Sequence, residues 1–181
     1  MNRRLSLALA ARLLPAFVAA TVLLVNTRDA HASSGKSIGV DLDYTNAIDE
    51  PQVGSGSGFN VRLGYKLDLL VVQFTPEIGG AYHGFCGDAG AKLTQGIVGG
   101  RVAFGKILEP GIYAHLGYGH LSDTLGNSHS GATGDAGLTL DLTLLPFVDL
   151  GVHGGYNGMF KTGDYRAFDS YVLGIHGAVI F

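Results

Sequence analysis

Apolar and polar residues alternate along most of the chain after residue 33. The alternation is clearest near residue 140, where leucines at 138, 140, 142 and 144 are separated by Thr139, Asp141 and Thr143. A period of two places successive side chains on opposite faces of a β-strand. No stripe of helical period extends beyond a turn or two in this part of the sequence, so the pattern predicts an all-β protein.

Eight segments share this alternation and are predicted as strands. They are residues 38–46, 59–66, 69–83, 92–104, 111–121, 137–144, 148–157 and 170–181. Pro76 falls inside the third segment and has no backbone N–H, so we expect a bulge or a local break in the ladder there.

The predicted connections alternate between long and short. The long ones are residues 47–58, 84–91, 122–131 and 158–167, and the short ones are 67–68, 105–110 and 145–146. Short periplasmic turns that alternate with longer extracellular loops are typical of up-and-down outer-membrane barrels. The sequence therefore predicts an eight-stranded antiparallel barrel. Its first strand would begin, and its last strand would end, on the periplasmic side.

Composition bears on which face of the barrel is apolar. Hydrophobic residues make up 46% of the chain and charged residues only 15%, with 29 glycines. A soluble barrel of the lipocalin kind would show the same alternation with its apolar face inward. The glycine-rich, sparsely charged polar face favours a membrane barrel with its apolar face outward. Tyrosines near strand ends are then expected at the membrane interfaces; they are Tyr44, Tyr65, Tyr82, Tyr118, Tyr156 and Tyr171.

The first 32 residues are predicted to be a signal peptide. Arg3 and Arg4 precede a mostly apolar stretch, and Ala30-His31-Ala32 is a small-x-small cleavage site. The alternative is an uncleaved anchor, but Arg12 and Pro15 interrupt the apolar stretch. We therefore expect cleavage before Ser33 and a barrel domain over residues 33–181.

The charge of the predicted mature chain limits which partners it is expected to bind, and its cysteine content limits which disulfides it can form. Without the four arginines and one aspartate of residues 1–32, it holds 8 basic and 14 acidic residues, a net charge of −6. This balance does not favour a nucleic-acid partner. The single cysteine, Cys86, excludes a disulfide within the chain.

With the apolar face toward lipid, the opposite face would fill the lumen with a polar network. Its predicted members are Asp41, Asp43, Arg62, Lys66, Glu77, Arg101, His115, Asp141, Asp149, His153 and His176. Buried charges need partners because an isolated one costs several kcal/mol. The expected pairs are Asp41 or Asp43 with Arg62, Glu77 with Arg101, His115 with Asp141, and Asp149 or His153 with His176. Such a lumen is just wide enough for side chains, so we expect a plug, with a narrow ion or proton path as the alternative.

The sequence gives only weak support for any catalytic or metal-binding residue. His115, His153 and His176 could approach one another, but their spacing matches no metal motif, and His83 and His129 fall at or in predicted outer loops. Residues 127–130 supply Ser128 and His129 without an orienting acid. Residues 54–58 match the sequence pattern of a nucleophile elbow, but they are not predicted to lie at the turn from a strand to a helix where that motif occurs. No catalytic, metal or cofactor-binding residue is assigned.

The last predicted strand completes a resemblance to a known superfamily. Tyr171, Leu173, Ile175, Val179 and the terminal Phe181 resemble the C-terminal assembly signal of outer-membrane barrels. Together with the export signal, the eight segments and the alternating connections, they make the mature chain similar to the small eight-stranded outer-membrane barrel superfamily. That superfamily includes the membrane domain of outer-membrane protein A, outer-membrane protein X and the opacity proteins. The absence of tryptophan is a departure from its aromatic girdles.

The resemblance implies a monomeric protein of the Gram-negative outer membrane. Its partners would be outer-membrane lipid and, during biogenesis, the barrel-assembly machinery and periplasmic chaperones. The implied function is structural or surface-interacting, through the extracellular loops, and not enzymatic. A narrow porin-like permeation barrel is the alternative, and a lipid-modifying outer-membrane enzyme is the third possibility.

Overall fold

The computed structural model of the protein describes residues 34–48, 50–69, 71–88, 90–145, 147–160 and 167–181. The predicted signal peptide, residues 1–32, and the predicted cleavage site before Ser33 lie outside the described residues. None of the described residues forms a helix long and apolar enough to cross a membrane.

Eight antiparallel strands form one closed barrel, in which each strand pairs with the next and the last pairs with the first. They are β1 (Gly35–Ala47), β2 (Ser55–Leu69), β3 (Val72–Phe85), β4 (Ala91–Phe104), β5 (Leu108–Asp123), β6 (Ser128–Leu145), β7 (Val148–Met159) and β8 (Phe168–Ile180). We call the end with residues 48, 50–54, 86–88, 90, 124–127, 160 and 167 the loop end. The opposite end, with residues 71, 105–107 and 147, is the turn end.

Most strands extend further toward the loop end than the alternation predicts. β2 begins at Ser55 instead of residue 59, and β6 begins at Ser128 instead of residue 137. Both extensions consist largely of glycine, serine, threonine and alanine, which continue a hydrogen-bonded ladder without a clear apolar face. The first turn is also displaced, because Leu69 ends β2 and pairs with Val72. The loops are consequently shorter than predicted.

Among the described residues, the ladder is irregular at two places, and these differ in form. At Pro76, pairing with β2 is interrupted between Gly64/Glu77 and Leu67/Phe74, yet the register is the same on both sides. This is the local break expected of a residue without a donor. The register shift lies elsewhere, in β6 between Leu142 and Leu145.

The barrel is apolar outside and polar inside. On β6, Leu140 and Leu142 are 41% and 39% exposed, whereas Asp141 between them is 3% exposed. Large aliphatic side chains are exposed on every strand, and buried acids, amides and histidines line the interior. A soluble barrel has the reverse arrangement, so the structure describes a transmembrane barrel.

Aromatic side chains border the outer apolar surface at both ends. Toward the loop end, Tyr44, Tyr118, Tyr156 and Tyr171 are exposed; toward the turn end, Tyr65, Phe104 and Phe181 are exposed. Tyr82, also predicted in a girdle, is partly buried against Phe59. Between Tyr171 and Phe181 a tilted strand rises about 25 Å, the height of the apolar band of outer-membrane barrels.

The loop end of the lumen is filled by an apolar plug. We use this name for the buried cluster of Ala47, Val53, Phe85, Ala91, Leu93, Met159 and Phe168. Leu93 and Met159 are almost inaccessible, and the rings of Phe85 and Phe168 meet edge to face with centroids 5.2 Å apart. The plug separates the polar interior from the loops.

Candidate functional site

The lumen brings together all eleven residues that the sequence analysis assigned to it. Their side chains point inward and are buried or nearly so. The structure adds residues that the sequence analysis did not place there, namely His83, Glu109 and Asp135. Glu109 was placed in a turn, and Asp135 lies where the alternation is lost.

Arg62 holds the centre of the network. Its Nη2 lies 2.6 Å from Asp41 Oδ1 and its Nη1 lies 2.7 Å from Glu77 Oε2. Asn60 donates to Asp41 and Asp43 from the same strand. The predicted pair of Asp41 with Arg62 is therefore present, but Glu77 pairs with Arg62 where Arg101 was predicted.

Arg101 serves a different part of the network. Its Nη1 lies 3.2 Å from Asp141 Oδ2 and 3.1 Å from His176 Nε2. The prediction paired it with Glu77 because adjacent strands were assumed to supply partners. In the barrel, a long side chain crosses the lumen and reaches strands that are not its neighbours.

His115 lies between two carboxylates. Its Nδ1 is 2.7 Å from Asp135 Oδ1 and its Nε2 is 3.1 Å from Glu77 Oε2. A carboxylate accepts hydrogen bonds, so both ring nitrogens donate and the ring is an imidazolium. The predicted partner of His115, Asp141, is wrong because Asp141 binds His176 and Arg101 instead.

His153 and His176 form a pair. Their Nδ1 atoms are 3.2 Å apart; His153 Nε2 lies 2.9 Å from Asp43 Oδ1, and His176 Nε2 contacts both Asp141 Oδ1 and Arg101 Nη1. A hydrogen bond between two ring nitrogens needs one proton. The two rings therefore link Asp43 to Asp141 across the lumen. Of the predicted alternatives for His176, the structure has His153 and not Asp149.

A second group of ions lies at the turn end. Lys66 Nζ is 2.9 Å from Asp149 Oδ2 and 3.5 Å from Glu109 Oε2. Gln73 donates to Glu109 at 2.8 Å, and Thr143 donates to Asp149 at 2.7 Å. Lys66 thus neutralises part of the charge of two carboxylates.

Two glycines make room for the histidine pair. A Cβ atom at Gly151 would collide with the Asp141 carboxylate and the His176 ring, and one at Gly174 would collide with Asp43 and the His153 ring. Any larger residue at either position would displace the pair. The glycines on the polar face therefore allow large polar side chains to fill a narrow barrel.

Two small cavities lie within the described part of the lumen. The one toward the loop end, which we call the chamber, has a volume of about 30 Å³. The other, toward the turn end, has a volume of about 20 Å³. Arg62 and Arg101 line both cavities and separate them. Each cavity has room for one or two water molecules.

The structure places the remaining histidine and serine candidates on strands. His83 is buried in the lumen and not in a loop, and His129 belongs to β6. On the outer face, His120 Nδ1 lies 2.9 Å from Ser130 Oγ. No carboxylate among the described residues lies within ion-pair distance of His120, so the orienting acid of a triad is missing there. Nor do the described residues contain a group of three or more His, Cys, Asp or Glu side chains that could hold a metal.

Comparison with solved structures identifies the fold. The crystal structure of Neisserial surface protein A superimposes with a TM-score of 0.62 and 19% identity, over 82% of this chain and 98% of that one. This chain has the fold of the small eight-stranded outer-membrane barrels. The N-terminal β-barrel domain of Pseudomonas aeruginosa OprF also matches the outer-membrane barrel, with a TM-score of 0.50 and 12% identity over 82% of this chain and all of that domain. No family model and no curated protein matches the sequence.

Proposed function

We propose that the protein is an integral outer-membrane barrel with a closed lumen and a structural or surface-interacting function. The observation that carries this proposal is the filled interior. Ion pairs occupy the centre and the turn end, and the apolar plug occupies the loop end. Within the part of the lumen that the structure describes, Arg62 and Arg101 lie between cavities of only about 30 and 20 Å³.

Opening a path through this lumen would be costly. Arg62 and Arg101 would have to leave their carboxylates. Removing one partner of a buried ion pair costs about 3–5 kcal/mol. The plug would also have to expose Phe85 and Phe168. Two obstacles of different chemistry in series argue against permeation.

The hairpin of β5 and β6 offers a contact surface at the loop end. Leu125 at its tip is 76% exposed. The tip is held by Asp123, whose carboxylate accepts from the backbone N–H groups of Leu125 and Asn127 and from the Asn127 side chain at 2.8–2.9 Å. A rigid turn that presents an apolar side chain loses little entropy on binding, which supports a role in surface interaction.

Bilayer conductance tests the closed lumen. The refolded protein should leave a planar bilayer silent under applied voltage. A water-filled porin reconstituted in the same way serves as the positive control. Discrete channels from the unaltered protein would overturn the proposal in favour of permeation.

Export is part of the proposal: cleavage before Ser33, passage with periplasmic chaperones and insertion by the barrel-assembly machinery. The exposed thiol of Cys86 allows a test of location on intact cells. A membrane-impermeant maleimide should label Cys86 without lysis. A matched control carries Cys86→Ser and Ile107→Cys, which moves the thiol to an exposed position at the turn end. It should react only after the outer membrane is opened; the reverse result would contradict the proposed location or orientation.

A further inference from the structure

We propose that the outer face of β4, β5 and β6 binds the headgroup phosphate of one outer-leaflet lipid. The site consists of five polar side chains, which we call the polar patch: Lys92 and Thr94 on β4, His120 and Ser122 on β5, and Ser130 on β6. This inference rests on the proposed function for one point, because the outward orientation of the loop end places the patch in the outer leaflet.

The register of the strands brings the five side chains of the polar patch together. Lys92 lies directly opposite Ser122, and two residues further along β4 Thr94 lies directly opposite His120. On its other side His120 lies opposite Ser130, and its Nδ1 is 2.9 Å from Ser130 Oγ. Residues opposite each other on one face have Cβ atoms about 4.5–5.5 Å apart. The five side chains therefore form one contiguous surface.

The polar patch lies just beyond the aromatic border of the outer apolar surface. Tyr118, which belongs to that border, is 66% exposed. His120 and Ser122 follow it on the same face of β5, about 5 and 10 Å further along the barrel axis for a tilted strand. Tyrosine rings mark the headgroup level of a membrane interface. The patch is therefore at the level of lipid headgroups, beyond the acyl chains.

Lys92 gives the polar patch its preference for an anion. It is exposed, and none of the ion pairs among the described residues includes it. The carboxylate of Asp123, which lies next to this part of β4, is engaged in its own turn. The other exposed cations of the described chain, Lys36 and Lys106, lie at the turn end. A phosphate accepts charge-assisted hydrogen bonds, so an ammonium group surrounded by hydroxyl groups matches it.

The outer face next to the polar patch has room for an acyl chain. Gly80 and Gly96 lie opposite each other there, and both are exposed. A Cβ atom at Gly96 would meet nothing within 4 Å, and one at Gly80 would meet only the backbone oxygen of Gln95, 3.6 Å away. Val61 on β2 and Tyr118 on β5 border this depression. A lipid whose phosphate lies on the patch can therefore lay an acyl chain against bare backbone.

Native mass spectrometry of the refolded protein in detergent micelles tests the proposal, with lipid A as the probe. The unaltered protein should retain one lipid A molecule and should retain dephosphorylated lipid A less. Lys92→Gln should weaken retention about fivefold, the effect expected for one lysine near an anionic headgroup. Lys106→Gln removes an exposed cation at the turn end, so it is the matched control and should retain lipid A fully. Equal retention of the two forms of lipid A, or by the two variants, would overturn the proposal.

Gly96→Leu gives a second test that leaves the polar patch intact. The new side chain would enter open space, so the heat-modifiable gel mobility of the barrel should not change. It would fill the depression and should weaken retention of lipid A several-fold; unchanged retention would show that no acyl chain lies there and would overturn the site.

Failure of the lipid site can be distinguished from failure of the proposed function. Both binding measurements are made in micelles and do not depend on the orientation of the barrel in the cell. Reversed labelling of Cys86 would contradict the proposed location, whereas loss of selectivity for the phosphate would contradict the lipid site alone.

Discussion

The backbone of Phe181 exchanges two hydrogen bonds of 2.9 Å with the backbone of Lys36. These bonds continue the β1–β8 ladder past the last residue of β8 and complete the closure of the barrel. The Phe181 side chain is exposed on the outer surface at the turn end. The terminal residue therefore contributes to closure and to the lipid-facing surface.

Deletion of Phe181 should impair assembly more than the loss of one exposed ring implies. It removes both bonds to Lys36, and the last strand resembles an assembly signal. We expect periplasmic accumulation or degradation, measured by cell fractionation and heat-modifiable gel mobility. Phe181→Tyr keeps the backbone and an aromatic ring and should assemble normally. Normal amounts of folded barrel after the deletion would contradict this prediction.

Arg62→Ala should destabilise the barrel by about 3–5 kcal/mol, because it leaves Asp41 and Glu77 buried without their shared cation. Urea unfolding in lipid vesicles measures this difference. Lys36→Ala, which changes an exposed cation at the turn end, is the control and should shift the free energy of unfolding by no more than about 0.5 kcal/mol. Similar values for the two variants would show that the ion pairs do not stabilise the fold.

Leu140→Arg should cost about 2–4 kcal/mol if Leu140 faces lipid near the bilayer midplane. Leu125→Arg makes the same chemical change at the water-exposed hairpin tip and should be almost neutral. The comparison uses unfolding in vesicles of one lipid composition. Equal costs at the two positions would remove the basis for assigning the outer surface to lipid.

Asn127→Ala should raise the pKa of Asp123. The hydrogen bond from the Asn127 side chain, with backbone N–H donors of the same turn, holds the pKa of the Asp123 carboxyl below its usual value. Since that pKa is lowered by the fold, the ordering of the turn is present above the usual pKa and is lost as pH falls through the lowered one. Carboxyl NMR titration in nanodiscs should show a higher midpoint in the variant; an unchanged midpoint would exclude Asn127 as the cause.

The sequence predicts the fold because the lipid-facing side of each strand must be apolar. That constraint marks Leu140 and Leu142 as outward and Asp141 as inward without knowledge of any pairing. It does not mark strand ends, where Ser128 and its neighbours continue a strand with small polar residues. Asp135 lies in this part of β6, so the alternation did not predict its place in the lumen.

The partners within the lumen could not be predicted from neighbouring strands. His115 and Glu77 lie on β5 and β3, and their contact depends on the tilt and stagger of the strands around the barrel. His153 reaches Asp43, which is separated from it by 110 positions along the chain. Alternation contains no information on either distance.

The contact between His153 and Asp43 has a consequence for the order of folding. It joins β7 to β1, so it cannot form until the sheet has curled round and its first and last strands have met. Before that moment the lumenal acids and imidazoles keep their own hydration, and an open sheet in hydrocarbon would have to strip it without compensation. Insertion and closure are thus coupled, and the many contacts between distant parts of the chain predict slow folding kinetics.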